Sequence, residues 1–265
     1  MRPGWHLECS CMSMKYLGES FDIHCGAVDL VFPHHENEIA QSEGATGKPF
    51  VRYWLHAEHL FVEGQKMSKS LGNFYTLRDL LEMGHSPDTI RYLLSGHPYR
   101  NKLNFTFDGL KAASSALERL RNFEWRLKSE RFGEGENPKI NARIEEALRD
   151  FDESMDDDLN TAGALGAVFE LVRDLNSAMD SGEFLAANAT AAVEFLGHFD
   201  AIFDVLRPVE VAGQIEAEEI ERLIEERLSA RKAKNFKRSD EIRDDLAARG
   251  VILEDTKEGT RWKRK

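Results

Sequence analysis

The run Phe32-Pro33-His34-His35-Glu36-Asn37-Glu38 sets an imidazole and a carboxylate four residues apart. Pro33 suits the first turn of a helix. On that helix His34 and Glu38 leave one face about one turn apart. A neutral imidazole and a carboxylate so placed can share a tetrahedral zinc ion, and Cys9 can add a thiolate. Thiolate is the soft ligand that favours zinc over magnesium or calcium. The same residues also read as an i,i+4 hydrogen-bonded pair beside a small buried cysteine, and spacing alone leaves both readings open. His35 points about 100° away around the helix and lies off that face, which suits packing or substrate contact.

A second string, Lys66-Met67-Ser68-Lys69-Ser70, lies between Gly64 and Gly72. Two lysines three apart on a loop can bring their ammonium groups to one phosphate cluster. Ser68, Ser70 and backbone N–H groups would add neutral donors, an arrangement that stabilises charge developing on phosphate.

The elements that must hold these residues follow from pattern. Residues 1–100 are rich in His, Gly, aromatics and Met. Short apolar runs at Phe21–Ile23 and Val28–Phe32 read as buried strands, and residues 36–43 and 76–83 carry a helical period. From about 105 the character changes. Apolar residues at three-and-four spacing predict helices over 107–128, 140–152, 159–180 and 187–206, hence a bundle. Gly133 to Pro138 is the clearest loop within it, and a linker is expected from Arg207-Pro208 to Gln214. The remainder predicts helices near 216–233 and 239–249, a C-capping Gly250, and a strand pair at 251–253 and 260–262.

Composition bounds the function. The chain has 265 residues, 42% hydrophobic and 31% charged, enough apolar content to bury a core. No stretch approaches the ~18 apolar residues of a membrane helix, and no basic-then-apolar leader opens the chain. Cys9, Cys11 and Cys25 exclude a disulfide scaffold and suit a reducing compartment, so a cytoplasmic location without membrane partners is expected. The net charge of -12 argues against a protein that coats nucleic acid non-specifically. Yet Arg227, Arg231, Lys232, Lys234, Lys237 and Arg238 form a run with no acidic residue, with Phe236 inside it, and the segment from Lys257 to Lys265 is also basic. This run reads either as a solvated helix face or as a phosphate-contacting surface. Trp262 can stack on an unstacked base or close a small core.

Lys66–Ser70 reads KMSKS, the second signature of class I aminoacyl-tRNA synthetases. Arg2 to Ser10, Asp22-Ile23-His24, Asp29 to Ser42 and Trp54-Leu55-His56 resemble the cysteinyl-tRNA synthetase family. Met155 to Thr161 resembles the start of its tRNA-contacting bundle. Ala230 to Arg243, Gly250 to Thr256 and Gly259 to Trp262 are similar to its small anticodon-reading domain. The resemblance covers essentially the whole chain. It implies a partial Rossmann-type α/β catalytic half (1–104), an all-α helical tRNA-binding bundle (105–208) and a small α+β anticodon-binding domain (209–265). The family's other nucleotide signature and its further zinc cysteine have no counterpart here, so the chain looks like a C-terminal part, and on its own it is expected to be inactive.

The resemblance also assigns roles. Cys9, His34 and Glu38 would hold one zinc ion, on which the thiol of the substrate cysteine is selected. Trp5, His24 and Asp29 would contact substrate. Gly26, Asp29 and Lys69 would contact ATP, which is used with magnesium. Lys66 and Lys69 would stabilise the phosphate during activation. Arg231, Lys234, Lys237 and Trp262 would contact the tRNA for cysteine. Cys25 and Ala27 stand where the family is usually glycine-rich, which predicts a modest loss of ATP affinity. A complementary N-terminal half is an expected partner, and the assembly is expected to be monomeric. Two alternatives remain: a tRNA-binding module without catalysis, and a ligase joining cysteine to an amino sugar, against which the basic tail argues.

Overall fold

The computed structural model describes residues 4–207, 217–233, 235–256 and 259–264. They divide into two compact units, Met1–Pro208 and Val209–Lys265. Helix α1 (Trp5–Leu17) leads into strand β1 (Phe21–Ala27), helix α2 (Glu36–Thr46) and strand β2 (Val51–Ala57). β1 and β2 pair in parallel, with His24 opposite Trp54 and Gly26 opposite His56. Parallel neighbours need a crossover, and α2 supplies it. The run Val28–Phe32, expected as a strand, instead forms helical turns over Val28–Leu30 and Val31–His35. β1 and β2 both stop at their paired alanines, Ala27 and Ala57, so residues 28–32 have no strand to pair with. A short apolar run does not by itself distinguish a strand from a half-buried turn. The peptide Phe32–Pro33 is cis, Phe32 is extended, and the chain is helical from Pro33 onward.

Strands β3 (Leu60–Val62), β4 (Gln65–Lys66) and β5 (Leu103–Phe105) form a second small sheet, with β3 central. Helices α3 (Leu77–Glu82) and α4 (Pro87–Ser95) pack beside it around Val62, Leu80, Ile90, Phe105 and Leu110. Thr76 and Asp79 cap α3 reciprocally, which fixes its start.

Helices α5 (Phe107–Ser129), α6 (Pro138–Asp156), α7 (Thr161–Ser181) and α8 (Ala186–Phe203) make the expected bundle. Side chains cap three of them at their starts: Thr106, Asn137 and Asn160 each accept from a backbone N–H one turn in or less. Leu117, Leu120, Phe151, Leu171, Leu175 and Phe199 are essentially fully buried at its centre. Each such side chain contributes about 1.5–3 kcal/mol of transfer free energy. Buried Asn188 ties the Gly133–Pro138 loop to α8: it accepts from the N–H groups of Asn137 and Leu185 and donates to the Asn137 carbonyl. Arg121 on α5 pairs with buried Asp88 on α4 and donates to the Val205 carbonyl at 2.8 Å.

In the second unit, α9 (Ala217–Lys232) and α10 (Phe236–Ala248) pack on the hairpin of β6 (Val251–Thr256) and β7 (Gly259–Arg264). Gly250 follows α10 at φ +78°, the left-handed position expected of a glycine just past a helix.

Candidate metal centre and phosphate loop

Helix α1 delivers Cys9, and the first turns after Pro33 deliver His34 and Glu38. One ligand atom from each lies within 4.8 Å of the others. Glu38 is wholly buried and His34 nearly so. Glu38 Oε1 stands 2.7 Å from His34 Nε2, yet it accepts no hydrogen bond. These two atoms are close without hydrogen-bond alignment, in a group that brings one ligand atom each of Cys9, His34 and Glu38 within 4.8 Å of one another. A buried carboxylate oxygen left unsatisfied costs several kcal/mol, and a cation among them would satisfy it. The donor set of sulfur, nitrogen and oxygen fits zinc.

The surrounding groups orient this set. His24, on β1, holds the other carboxylate oxygen, Oε2, at 2.8 Å. The Nδ1 atom of His34 is 2.7 Å from Nδ1 of His6, so His34 can donate there and keep the Nε2 lone pair free. The Trp5 ring lies tilted beside the His34 ring, with centroids 4.4 Å apart, while its own surface is 60% exposed, which rules out a core role in this chain. Burial, and then the charges of Glu38 and Glu8, push the Cys9 thiol above its ordinary pKa, partly offset by a contact from Trp5. Without a cation, Cys9 is therefore a thiol.

His35 lies off the His34–Glu38 face, as its position on the helix requires. It is buried among the rings of His24, Trp54 and His56, with Nδ1 2.7 Å from His56 Nε2. Burial first, and then the neighbouring His24, lower its pKa to about 4, although Glu38 pulls the other way. His24, His35 and Glu38 also converge within 4.8 Å. Their atoms are already engaged with one another and with His56, so they form a brace behind the open ligand set. A Cβ on Gly26 would meet His35 Cε1 at 2.6 Å. The glycine assigned to ATP by resemblance thus has a steric task here: it makes room for the His35 ring. Cys25 and Ala27 alternate to the other face of β1, where a side chain does not meet that ring. Asp29 is exposed, makes no helix cap, and has His59 Nε2 3.9 Å away.

Lys66 ends β4 and Lys69 opens a single helical turn over Lys69–Leu71, and both are exposed. Neither has a carboxylate partner among the described residues. Lys69 Nζ rests 5.4 Å over the Phe74 ring. The two serines, expected to face phosphate, are partly engaged internally: Ser68 Oγ accepts from the Ser70 N–H and lies 2.7 Å from Ser70 Oγ. Asn73, which sequence reasoning passed over, staples the loop by accepting from the Ser68 N–H and donating to the Lys66 carbonyl.

In the second unit the basic run is not one continuous face. Arg227 is only 2% exposed, with Nη1 3.3 Å from Thr260 Oγ1. Arg238 pairs with Glu226 and Glu241. The 227–238 stripe is therefore split by burial and by acidic residues that neighbour it in space and not in sequence. Arg231, Lys232 and Lys237 remain exposed, and Lys234 lies outside the described residues. Trp262 packs against the small core and its indole N–H donates to Glu221 at 2.5 Å.

Three family models match the chain. One described as tRNA synthetases class I (C) catalytic domain matches residues 1–115, a DALR domain matches residues 150–207, and a cysteinyl-tRNA ligase anticodon binding domain matches residues 216–262. A Cysteine--tRNA ligase of Solibacter usitatus is 62% identical over the whole chain, and one of Koribacter versatilis is 52% identical. The chain spans 57% and 59% of the length of these two relatives. Among solved structures, an Agrobacterium radiobacter K84 LeuRS in ternary complex with tRNA and LeuAMS is similar over 66% of this chain and 25% of its own, with a TM-score of 0.51 and 19% identity, a likeness of fold. No helix among the described residues is long and apolar enough to cross a membrane. With all three domain types in order and identity of this level along its full length, the chain belongs to the cysteine–tRNA ligase family of class I aminoacyl-tRNA synthetases.

Proposed function

We propose that this chain provides the amino-acid-selecting and tRNA-binding parts of an enzyme that activates cysteine with ATP and magnesium and joins it to its tRNA, in a reducing cytoplasmic setting. The observation that carries this reading is the convergence of Cys9, His34 and Glu38 on one point, with Glu38 Oε1 buried and unsatisfied. Zinc held there supplies a soft cation that favours a thiol over a serine hydroxyl, a discrimination well beyond the ~1–3 kcal/mol of a methylene-sized difference. His24 and His6 fix the ligands, and exposed Trp5 forms a wall of the substrate pocket. Asp29 meets the substrate amino group or a ribose. Lys66 and Lys69 lie on the stapled loop and meet phosphate, with Lys69 facing the charge that develops as pyrophosphate leaves. Arg231, Lys234 and Lys237 contact RNA phosphates, while Trp262 supports the anticodon-facing side of its small core.

Metal analysis tests the first part. After dialysis the chain should retain about one zinc ion. Cys9→Ser should weaken retention at least tenfold, since a hydroxyl replaces a soft ligand. Undiminished zinc in Cys9→Ser would remove the selectivity argument. Because the chain spans little more than half the length of its relatives, ATP–pyrophosphate exchange is to be measured with the remaining part supplied. There Lys69→Ala should slow activation more than tenfold, about 2–4 kcal/mol of lost transition-state stabilisation, with tRNA affinity unchanged. The anticodon-domain match over residues 216–262 weighs against the amino-sugar ligase reading.

A further inference from the structure

The small sheet that leads into the phosphate loop has one face in the core and one outside it. Leu60, Val62 and Phe105 pack with the side chains of α3 and α4. Phe61 stands directly opposite Lys66 on β4 and opposite Asn104 on β5, so these three side chains share the other face. Lys102, just before β5, joins them: its Nζ lies 5.7 Å from the centre of the Phe61 ring. Because β3 is the central strand, one lysine comes from each side of Phe61. Phe61 is half-buried, and Lys66, Lys102 and Asn104 are exposed. The hairpin that presents them is firmly set. Glu63 and Gly64 take φ angles of 48° and 75°, the left-handed pair that matches the twist of a two-residue hairpin. Asn104 Oδ1 accepts from the Gly64 N–H at 2.7 Å and ties the turn to β5.

The positive charge of this face is uncompensated. Neither Lys66 nor Lys102 has a carboxylate partner among the described residues. Glu63, the acidic residue of the hairpin, is engaged by the Phe107 N–H at 3.0 Å. Arg100, the neighbouring cation, is by contrast paired with Asp158. In a chain of net charge -12, two unpaired lysines about an aromatic ring form a local positive field. Such a ring takes a base, and lysines on both sides take the phosphates that flank it, the combination that holds unpaired nucleic acid. A duplex keeps its bases stacked inside and offers none to the ring, and a free polyphosphate has no use for Phe61. We propose that the Phe61–Lys66–Lys102 face binds an unpaired RNA strand, with a base on the Phe61 ring and neighbouring phosphates on the two lysines. In the function proposed above, on which this site rests, RNA must reach the loop that carries Lys66, and this face is where an unpaired stretch of it lies. Lys102, at rest over the ring, gives way to the base, because an exposed cation–π contact is weak beside base stacking.

Fluorescence anisotropy with a short labelled single-stranded RNA tests the site, using the 265-residue chain with Lys234→Glu and Lys237→Glu so that the basic residues of the second unit contribute little. In that background Lys102→Gln should weaken binding about fivefold at 0.1 M salt and lower the salt slope by about 0.7, the counterion release of one phosphate contact on a single strand. Phe61→Leu keeps an apolar side chain at a half-buried position, and it should weaken binding about threefold or more with the slope unchanged. Lys48→Gln, at an exposed lysine paired with Glu19, should change nothing. A duplex of the same sequence should bind less tightly. Hydrogen exchange over residues 60–66 should slow when the single strand is added, a readout that needs no change at the site. Unchanged affinity in both Lys102→Gln and Phe61→Leu, with no protection over 60–66, overturns the proposal. So does a preference for the duplex. Displacement of the RNA by pyrophosphate, with Phe61→Leu silent, also overturns it and leaves a polyphosphate site only. Lys69→Ala in the exchange assay reads the activation step without RNA, so failure of the proposed function and failure of this site are distinguishable.

Discussion

Gly26→Ala isolates the part played by the histidine brace. The added Cβ would stand 2.6 Å from His35 Cε1, 3.0 Å from His35 Nε2 and 3.1 Å from Leu30 Cδ1. Carbon atoms pack at about 3.5–4.0 Å, so the overlap with the ring is about 1 Å. His35 cannot simply turn aside. Its Nδ1 is tied to His56, and its ring is flanked by His24 and Trp54. Overpacking of this kind costs about 1–3 kcal/mol. The displaced ring pushes on His24, which holds Glu38 Oε2, and it adjoins His34 along the chain. If half or more of the strain reaches the ligands, zinc affinity falls about twofold to a hundredfold, because 1.4 kcal/mol is a factor of ten. The assay is competition with a chromogenic chelator, with the cobalt-substituted absorption spectrum as a reading of ligand geometry. A double-mutant cycle identifies the cause: in a His35→Ala background the Gly26→Ala cost should largely vanish. Equal costs in both backgrounds, or unchanged zinc affinity and melting temperature in Gly26→Ala alone, would refute the steric argument.

Burial by itself would raise the Asp88 pKa, but hydrogen bonds from Ser86 and Arg121 and the Arg121 charge outweigh it and hold the pKa below the usual value of 3.8. A depressed carboxylate contributes stability above its unfolded pKa and loses it as pH falls through the folded one. The unsubstituted chain should therefore lose stability below about pH 4, and Asp88→Asn should be flatter there and less stable by about 2–3 kcal/mol at neutral pH, with partial exposure of Arg121 already discounted. Urea melts over a pH series measure both effects. Lys234→Glu with Lys237→Glu should weaken all tRNAs alike and lower the salt slope by about 1–2, read by filter binding, whereas Arg238→Glu should do less because Arg238 is already paired with Glu226. If the small domain reads bases, Trp262→Phe should lower the preference for a cysteine anticodon. The indole donates to Glu221, so Glu221→Gln should behave similarly, and equal binding of matched and altered tRNAs by the unsubstituted chain would end the base-reading idea.

Local pattern carried the bundle. Leu110, Ala113, Leu117 and Leu120 repeat at helical spacing, a signal confined to one helix, whereas the capping roles of Thr106, Asn137 and Asn160 came from the structure. Gly250, the KMSKS string and the four-residue spacing of His34 and Glu38 were legible for the same reason. The turns over 28–35 were not, because whether an apolar run forms a strand depends on a partner elsewhere in the chain, and β2 stops at Ala57. Helix α1 was missed because its apolar, cysteine and polar residues show no clean stripe, and only Ser10 along it is buried. The candidate ligands Cys9, His34 and Glu38 were nameable from sequence, but not the brace that orients them. His24, Gly26 and His56 reach Glu38 and His35 only through the parallel register of β1 and β2. The basic run at 227–238 shows the converse. Its charges are contiguous in sequence, and tertiary packing buried Arg227 and set Glu226 and Glu241 against Arg238, because charge is felt through space and not along the chain.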